Sequence, residues 1–121
     1  GSPLRKLDQL RILRLDHSSV RSVRALADLD RLETLSLDST QVRDVRPLLG
    51  LDRLQTLSMA DTPLENIGPL SSMRQLKTLD LRGTRASSAQ ITKLEAAMPY
   101  TLILDDAWKR EAEQRKQAKG G

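Results

Sequence analysis

The sequence has 121 residues, a net charge of +4 from 20 basic and 16 acidic side chains, 38% hydrophobic residues and only 2% aromatic residues. This length suits a single domain, and leucine must fill its core because aromatic side chains are nearly absent. Cysteine is also absent, which excludes disulfides and thiolate chemistry, and no apolar run approaches the roughly 18 residues of a membrane span.

A repeat of 22 residues organises the chain as far as residue 106. Full units cover 10–31, 32–53, 54–75 and 76–98, and they open with LRILRLDHSSV, LETLSLDSTQV, LQTLSMADTPL and LKTLDLRGTRA. Residues 1–9 match the end of such a unit, and a last opening, PYTLILDD, predicts a terminal strand within 99–106. In each opening the apolar fourth and sixth residues alternate with polar ones, which predicts a short strand with one buried face. On this count Leu102 and Leu104 of the last strand face the core.

The second half of each unit predicts a turn followed by a short coil. Apolar residues at the eleventh, fourteenth, seventeenth and twentieth positions are three apart, which is typical of a 3₁₀ turn. The fourth unit differs, because residues 87–98 read SSAQITKLEAAM and are rich in helix-forming residues. Ser87 and Gln90 have the spacing of a capping box, and Ile91 and Leu94 lie one turn apart, so we expect a helix there.

Units of this kind cannot bury their leucines alone, but stacked copies can. The pattern resembles the leucine-rich repeats of the 22-residue class found in internalins and in the leucine-rich regulatory subunit of protein phosphatase 1. The resemblance covers residues 3 to about 106 and implies an α/β fold: a right-handed solenoid with one parallel sheet of about five short strands on its concave face. Short 3₁₀ coils would form most of the convex face. Where the family usually has Asn at the ninth position, this chain has hydroxyl residues, which we expect to bond buried backbone groups of the turn: Ser18, Thr40, Thr62 and Thr84.

The two ends of the sequence carry separate predictions. Because residues 1–9 form only part of a unit, we expect the sequence to be a segment of a longer protein whose first strand can self-associate through an uncovered N-terminal edge. Residues 107–121 are charged and favour helix, which predicts a capping or linker helix with Trp108 covering the last strand. No secretory signal is seen, so we expect a cytoplasmic protein.

The resemblance implies that the concave strand face binds a protein partner. The third, fifth and seventh residues of each opening lie on that face, and in the last strand these would be Thr101, Ile103 and Asp105. Arginine and tyrosine are the best contact residues, because hot spots favour them, whereas threonine and serine are also ordinary solvated strand residues. Asp16, His17, Asp38 and Asp61 gather along one edge of the sheet, and this acidic edge could contact a basic partner or hold a cation. The candidate partner-binding residues are Arg14, Asp16, His17, Thr34, Asp38, Asp61, Asp80, Arg82 and Tyr100.

No catalytic residue, metal site or cofactor is predicted. His17 is the single histidine, and no glycine-rich phosphate loop accompanies it. Besides a protein-recognition module, the sequence allows a regulatory or sensor segment that acts on an ATPase, kinase or effector domain of its own full-length chain. It also allows a binder of anionic ligands, although the lack of stacking aromatic residues disfavours nucleic acid. The residues for that alternative are the convex arginines Arg21, Arg24, Arg43 and Arg46.

Overall fold

A five-stranded parallel sheet runs the length of the computed structural model, which describes residues 9–106 and 115–116. Each repeat contributes one strand, and the strands lie side by side in chain order. The predicted α/β architecture with one parallel sheet of five short strands is therefore confirmed. The strands are β1 (Ile12–Arg14), β2 (Thr34–Ser36), β3 (Thr56–Ser58), β4 (Thr78–Asp80) and β5 (Leu102–Leu104).

Short helical segments return the chain from each strand to the next. The first three units use 3₁₀ helices at Arg24–Leu26, Arg46–Leu48 and Gly68–Ser72, which confirms the predicted coils. The start of each 3₁₀ helix is stabilised by a side chain two residues before it. The oxygen of that side chain accepts a hydrogen bond from the backbone N–H of the first helical residue. Sequence reasoning missed these three residues, Ser22, Asp44 and Asn66.

The fourth unit contains an α-helix, α1 (Ser88–Ala97), as predicted. Ser87 accepts a hydrogen bond from the backbone N–H of Gln90, and the Gln90 side chain accepts one from the Ser87 backbone, which completes the capping box. Ile91 and Leu94 are buried and place the helix against the end of the core. The backbone N–H of Met98 donates to the Leu94 carbonyl, and the non-helical backbone of Met98, with φ of −127° and ψ of 63°, ends the helix.

The core consists of equivalent apolar residues stacked from unit to unit. Leu35, Leu57 and Leu79 lie opposite one another in the sheet and are completely buried. Full burial of one such side chain stabilises the fold by roughly 1.5–3 kcal/mol. The predicted role of the ninth-position hydroxyls is also confirmed: Thr40 and Thr62 are buried and donate to the carbonyls three residues earlier, at 2.7 and 2.8 Å. Ser18 and Thr84 make the same bond.

The register predicted for the last strand was wrong by one residue. Leu79 lies opposite Ile103, and Thr78 lies opposite Leu102. Ile103 therefore packs against the core, while Leu102 is 60% exposed. The physical reason is α1, because an α-helix rises about 1.5 Å per residue and a 3₁₀ helix about 2.0 Å, so the helical return needs more residues for the same path. Leu102, Leu104 and Asp106 thus replace the expected Thr101, Ile103 and Asp105 on the open face.

Several predictions concern residues outside the described part of the chain. These are the arrangement of the partial unit before Gln9, the uncovered N-terminal edge that depends on it, and the cap formed by Trp108. Of the predicted helix over 107–121 only residues 115–116 are described, and they are helical. Among the described residues, no helix has the length and apolar composition needed to cross a membrane.

Candidate partner-binding face

The solvent-facing side of the sheet, called the strand face below, carries three rows of side chains. The pairing of the strands defines the third-position row as Ile12, Thr34, Thr56, Thr78 and Leu102. The fifth-position row is Arg14, Ser36, Ser58, Asp80 and Leu104. Extending the same register by two residues gives the seventh-position row of Asp16, Asp38, Ala60, Arg82 and Asp106. Neighbouring members of a row are about 4.8 Å apart, so the strand face brings most of the predicted contact residues together.

Two of the predicted contact residues hold neighbouring repeats together. Oδ1 of Asp16 accepts hydrogen bonds from the Ser36 hydroxyl at 2.5 Å and from the backbone N–H of Asp38 at 2.9 Å. Oδ1 of Asp38 accepts the equivalent bonds from the Ser58 hydroxyl and the backbone N–H of Ala60, again at 2.5 and 2.9 Å. One oxygen of each carboxylate is therefore already hydrogen-bonded to the next repeat. The signal was present in the sequence, as Asp at the seventh position followed by Ser at the fifth position of the next unit.

The series changes at the third unit, where Ala60 stands at the seventh position. Asp80 of the next strand is 7% exposed and pairs with Arg82 instead, through Nε at 2.9 Å and Nη2 at 2.6 Å. Burial raises the pKa of Asp80, but the side-chain and backbone hydrogen bonds from Arg82, with its charge, outweigh that effect and leave the pKa below its usual value. The bond to Asp80 likewise raises the pKa of Arg82. This arginine is already neutralised within the chain.

The predicted acidic edge is shaped by left-handed turns. His17, Ser39 and Asp61 follow the seventh position and have φ of 59°, 57° and 57°. Their backbone N–H groups donate to carbonyls of the next unit at 2.8–2.9 Å, which holds this conformation. Asn, Asp and His tolerate positive φ better than other side chains, so His17 and Asp61 have a structural reason to be there.

Glycine occupies the equivalent position of the fourth unit. Gly83 has a φ of 73°, and a Cβ atom there would overlap Oδ1 of Asp61 and lie 3.2 Å from its Cα. The backbone N–H of Gly83 donates to Oδ2 of Asp106 at 2.8 Å. Of the residues that the structure describes, no group of three or more His, Asp or Glu side chains is arranged to hold a metal ion.

A different set of strand-face residues is accessible to a partner. Ile12 and Leu102 are 58% and 60% exposed, and Tyr100, just before β5, is 94% exposed. Arg14 is exposed and makes no ion pair with any described residue. Sequence reasoning had chosen Arg14 and Tyr100 but not the two aliphatic residues. The sequence could have identified Ile12 as an exposed apolar residue, since threonine stands at this position in the next three units. The exposure of Leu102 could not be predicted without the register of β5.

The convex arginines are partly paired. Arg46 binds Asp44 through Nε and Nη2, both at 2.9 Å. The side-chain hydrogen bond from Arg46 is the main cause that lowers the pKa of Asp44 to about 2. Arg85 and Glu65 form a looser pair at 3.8 Å. These contacts reduce the positive charge that the convex side offers to an anionic ligand.

A cleft of about 390 Å³ lies between the third 3₁₀ helix and α1. Ile67, Leu94 and Ala97 form its apolar part, and Lys93 lies at its side. None of the described residues that line it carries an imidazole, thiol or carboxylate.

Comparison with known proteins supports the repeat architecture. The sequence matches no protein-family profile and shows no significant similarity to a curated protein. Internalin C2 of Listeria monocytogenes superimposes with a TM-score of 0.75 and 29% identity, covering 87% of this chain and 46% of that protein. The chain folds as a leucine-rich-repeat solenoid. The predicted resemblance to internalin-like repeats is thereby confirmed.

Two further structures share the solenoid fold. Internalin InlF of Listeria monocytogenes matches with a TM-score of 0.73 and 21% identity over 85% of this chain and 29% of its own. A leucine-rich-repeat protein of Leptospira interrogans matches with a TM-score of 0.69 and 21% identity over 78% of this chain and 25% of its own. The solenoid thus spans less than half the length of each of these three proteins. Solenoids of this type commonly form extended binding surfaces for other proteins.

Proposed function

We propose that this solenoid is a protein-recognition module without catalytic activity of its own, and that it binds its partner through the strand face. The observation that carries the proposal is the exposure of Ile12, Leu102 and Tyr100 on or beside that face, together with Arg14, which is exposed and makes no ion pair within the described part of the chain. Tyrosine and arginine are enriched among the residues that contribute most to protein association, and burial of exposed aliphatic side chains adds a hydrophobic contribution.

We propose a different set of contact residues from the one that the sequence alone suggests. Asp16, Asp38, Asp80 and Arg82 already make hydrogen bonds within the solenoid, so we assign them to the stability of the strand face. Arg14, Thr34 and Tyr100 remain proposed contact residues, and Ile12 and Leu102 join them. The proposal includes a partner domain in the same full-length chain, such as an ATPase, kinase or effector domain, because the strand face would recognise it by the same contacts.

The convex side is the weaker candidate surface. Its arginines are interspersed with acidic residues, and Arg46 is neutralised by Asp44. Binding through arginines alone would be screened by salt, whereas burial of apolar side chains would not. The dependence of binding on salt therefore separates the two surfaces.

Site-directed photo-crosslinking tests the proposal. Thr56, at the centre of the strand face, and Arg43, on the convex side, are replaced in separate variants by p-benzoylphenylalanine. Each variant is irradiated in an extract of the source organism at low and at high salt. We expect a discrete crosslinked protein from position 56 that persists at high salt and is competed by the unmodified chain. Crosslinks from position 43 alone, or lost at high salt, would refute the strand-face assignment.

A further inference from the structure

Every exposed large hydrophobic residue in the described part of the chain lies in or beside the third-position row. These residues are Ile12, Tyr100 and Leu102. Ile12 and Leu102 occupy the two ends of the row, and Tyr100 lies two residues before Leu102 in the chain. Single exposed hydrophobic residues are ordinary on protein surfaces. Because all three lie in or beside one row of one face, that row is the candidate binding surface.

We propose that the partner contributes an extended segment that crosses the strands and places two large apolar side chains six residues apart on Ile12 and Leu102. This inference rests on the proposed function and specifies the chemistry of the partner. Four strand spacings of about 4.8 Å separate the two ends of the row, giving about 19 Å. Six residues of extended chain span about 20 Å, and residues i and i+6 point to the same side.

The middle of the row suits the backbone of such a segment. Thr34, Thr56 and Thr78 are half-buried, and their hydroxyls make no hydrogen bond within the described residues. A hydroxyl both donates and accepts, so each can bond a peptide N–H or C=O of the partner. A row one residue wide accommodates an extended chain. A helix, about 10–12 Å across, would also cover the fifth-position row, where Ser36, Ser58 and Asp80 already have partners.

Charge specifies the chemistry of the segment at its Ile12 end. Arg14 projects on β1 two residues from Ile12 and makes no ion pair among the described residues. At the other end of the sheet, Arg82 is neutralised by Asp80. A carboxylate near the apolar residue that binds Ile12 would form a charge-assisted hydrogen bond with the Arg14 guanidinium. The segment therefore carries an acidic residue beside the side chain that binds Ile12.

Selection from a random twelve-residue peptide library displayed on phage tests this chemistry directly. We expect enriched peptides to carry Leu, Ile, Met or an aromatic residue at i and i+6, with Asp or Glu beside one of them. Binding of the best peptide, measured by fluorescence anisotropy, should weaken at least tenfold with Ile12→Ser or Leu102→Ser. Arg14→Ala should remove the preference for the acidic residue. Arg43→Ser, on the convex side, is the matched control and should bind as the unchanged chain does.

Three results would overturn the inference. The first is enrichment of peptides with helical spacing of their apolar residues, and the second is binding that survives both serine variants. The third is a concentration-dependent rise in mass, measured by sedimentation, that Ile12→Ser abolishes, since the row would then hold a second copy of this chain. If crosslinking from position 56 succeeds while these peptides fail, only this inference falls. If the crosslinking also fails, the proposed function falls with it.

Discussion

Replacement of Ile103 by alanine should destabilise the solenoid, whereas the same change at its neighbour Leu102 should have almost no effect. Ile103 lies opposite the buried Leu79 and packs against the core, while Leu102 is 60% exposed. Truncation of a fully buried Ile or Leu costs about 2–5 kcal/mol. Ile103 is half-buried in the last described strand, so we expect a loss of about 1–2 kcal/mol. For Leu102→Ala the loss should stay below about 0.5 kcal/mol.

Urea unfolding followed by circular dichroism measures both changes. With a slope of about 1.5 kcal/mol per molar urea, the midpoint should fall by about 1 M for Ile103→Ala and by less than 0.3 M for Leu102→Ala. Leu57→Ala is the positive control, because Leu57 is completely buried between two neighbouring repeats. It should reach the upper part of the 2–5 kcal/mol range. A larger loss for Leu102→Ala than for Ile103→Ala would refute the observed register and restore the alternative in which Leu102 faces the core.

Two further predictions concern the polar rows. Asp38→Ala should lower the free energy of unfolding by about 1–3 kcal/mol, because the Ser58 hydroxyl and the Ala60 N–H lose their acceptor. The control variant Asp38→Asn keeps an acceptor oxygen and should retain most of the stability. Thermal unfolding measures both changes. Arg82→Ala should lower the midpoint of thermal unfolding near pH 7, because Asp80 would stay ionised after losing both guanidinium hydrogen bonds and would keep only the bond from the backbone N–H of residue 82. Since the pKa of Asp80 is lowered in the folded chain, its contribution is present above the unfolded pKa of about 3.9 and is lost as pH falls through the folded pKa. The stability difference between the two proteins should therefore shrink below about pH 4, and a difference independent of pH would contradict this account.

The roles of the carboxylates show where sequence reasoning about the site reached its limit. Asp16, Asp38 and Asp80 were placed correctly on one face, because alternation along a strand decides which face a side chain occupies. Their use in holding repeats together depends on groups 20 and 22 residues away for Asp16 and Asp38. Short motifs do not reveal such bonds, and only alignment of one unit on the next does. A carboxylate that accepts a backbone N–H has less capacity for a partner, so the proposed contact residues are ones whose side chains make no hydrogen bond within the described part of the chain.

The architecture itself followed from the sequence, because its causes are local or periodic. A strict repeat of 22 residues brings equivalent leucines into register, and spacing of three residues and a Ser–Gln capping box specify the returning helices. The register of the last strand had no such local signal. Leu102, Ile103 and Leu104 are all apolar, so alternation cannot tell which of them faces the core, and a shift of one residue exchanges the two faces. The number of residues in α1 and in the segment after it determines which of them faces the core. Tertiary structure alone thus decided that Ile103 enters the core and that Leu102 is left exposed at the end of the third-position row.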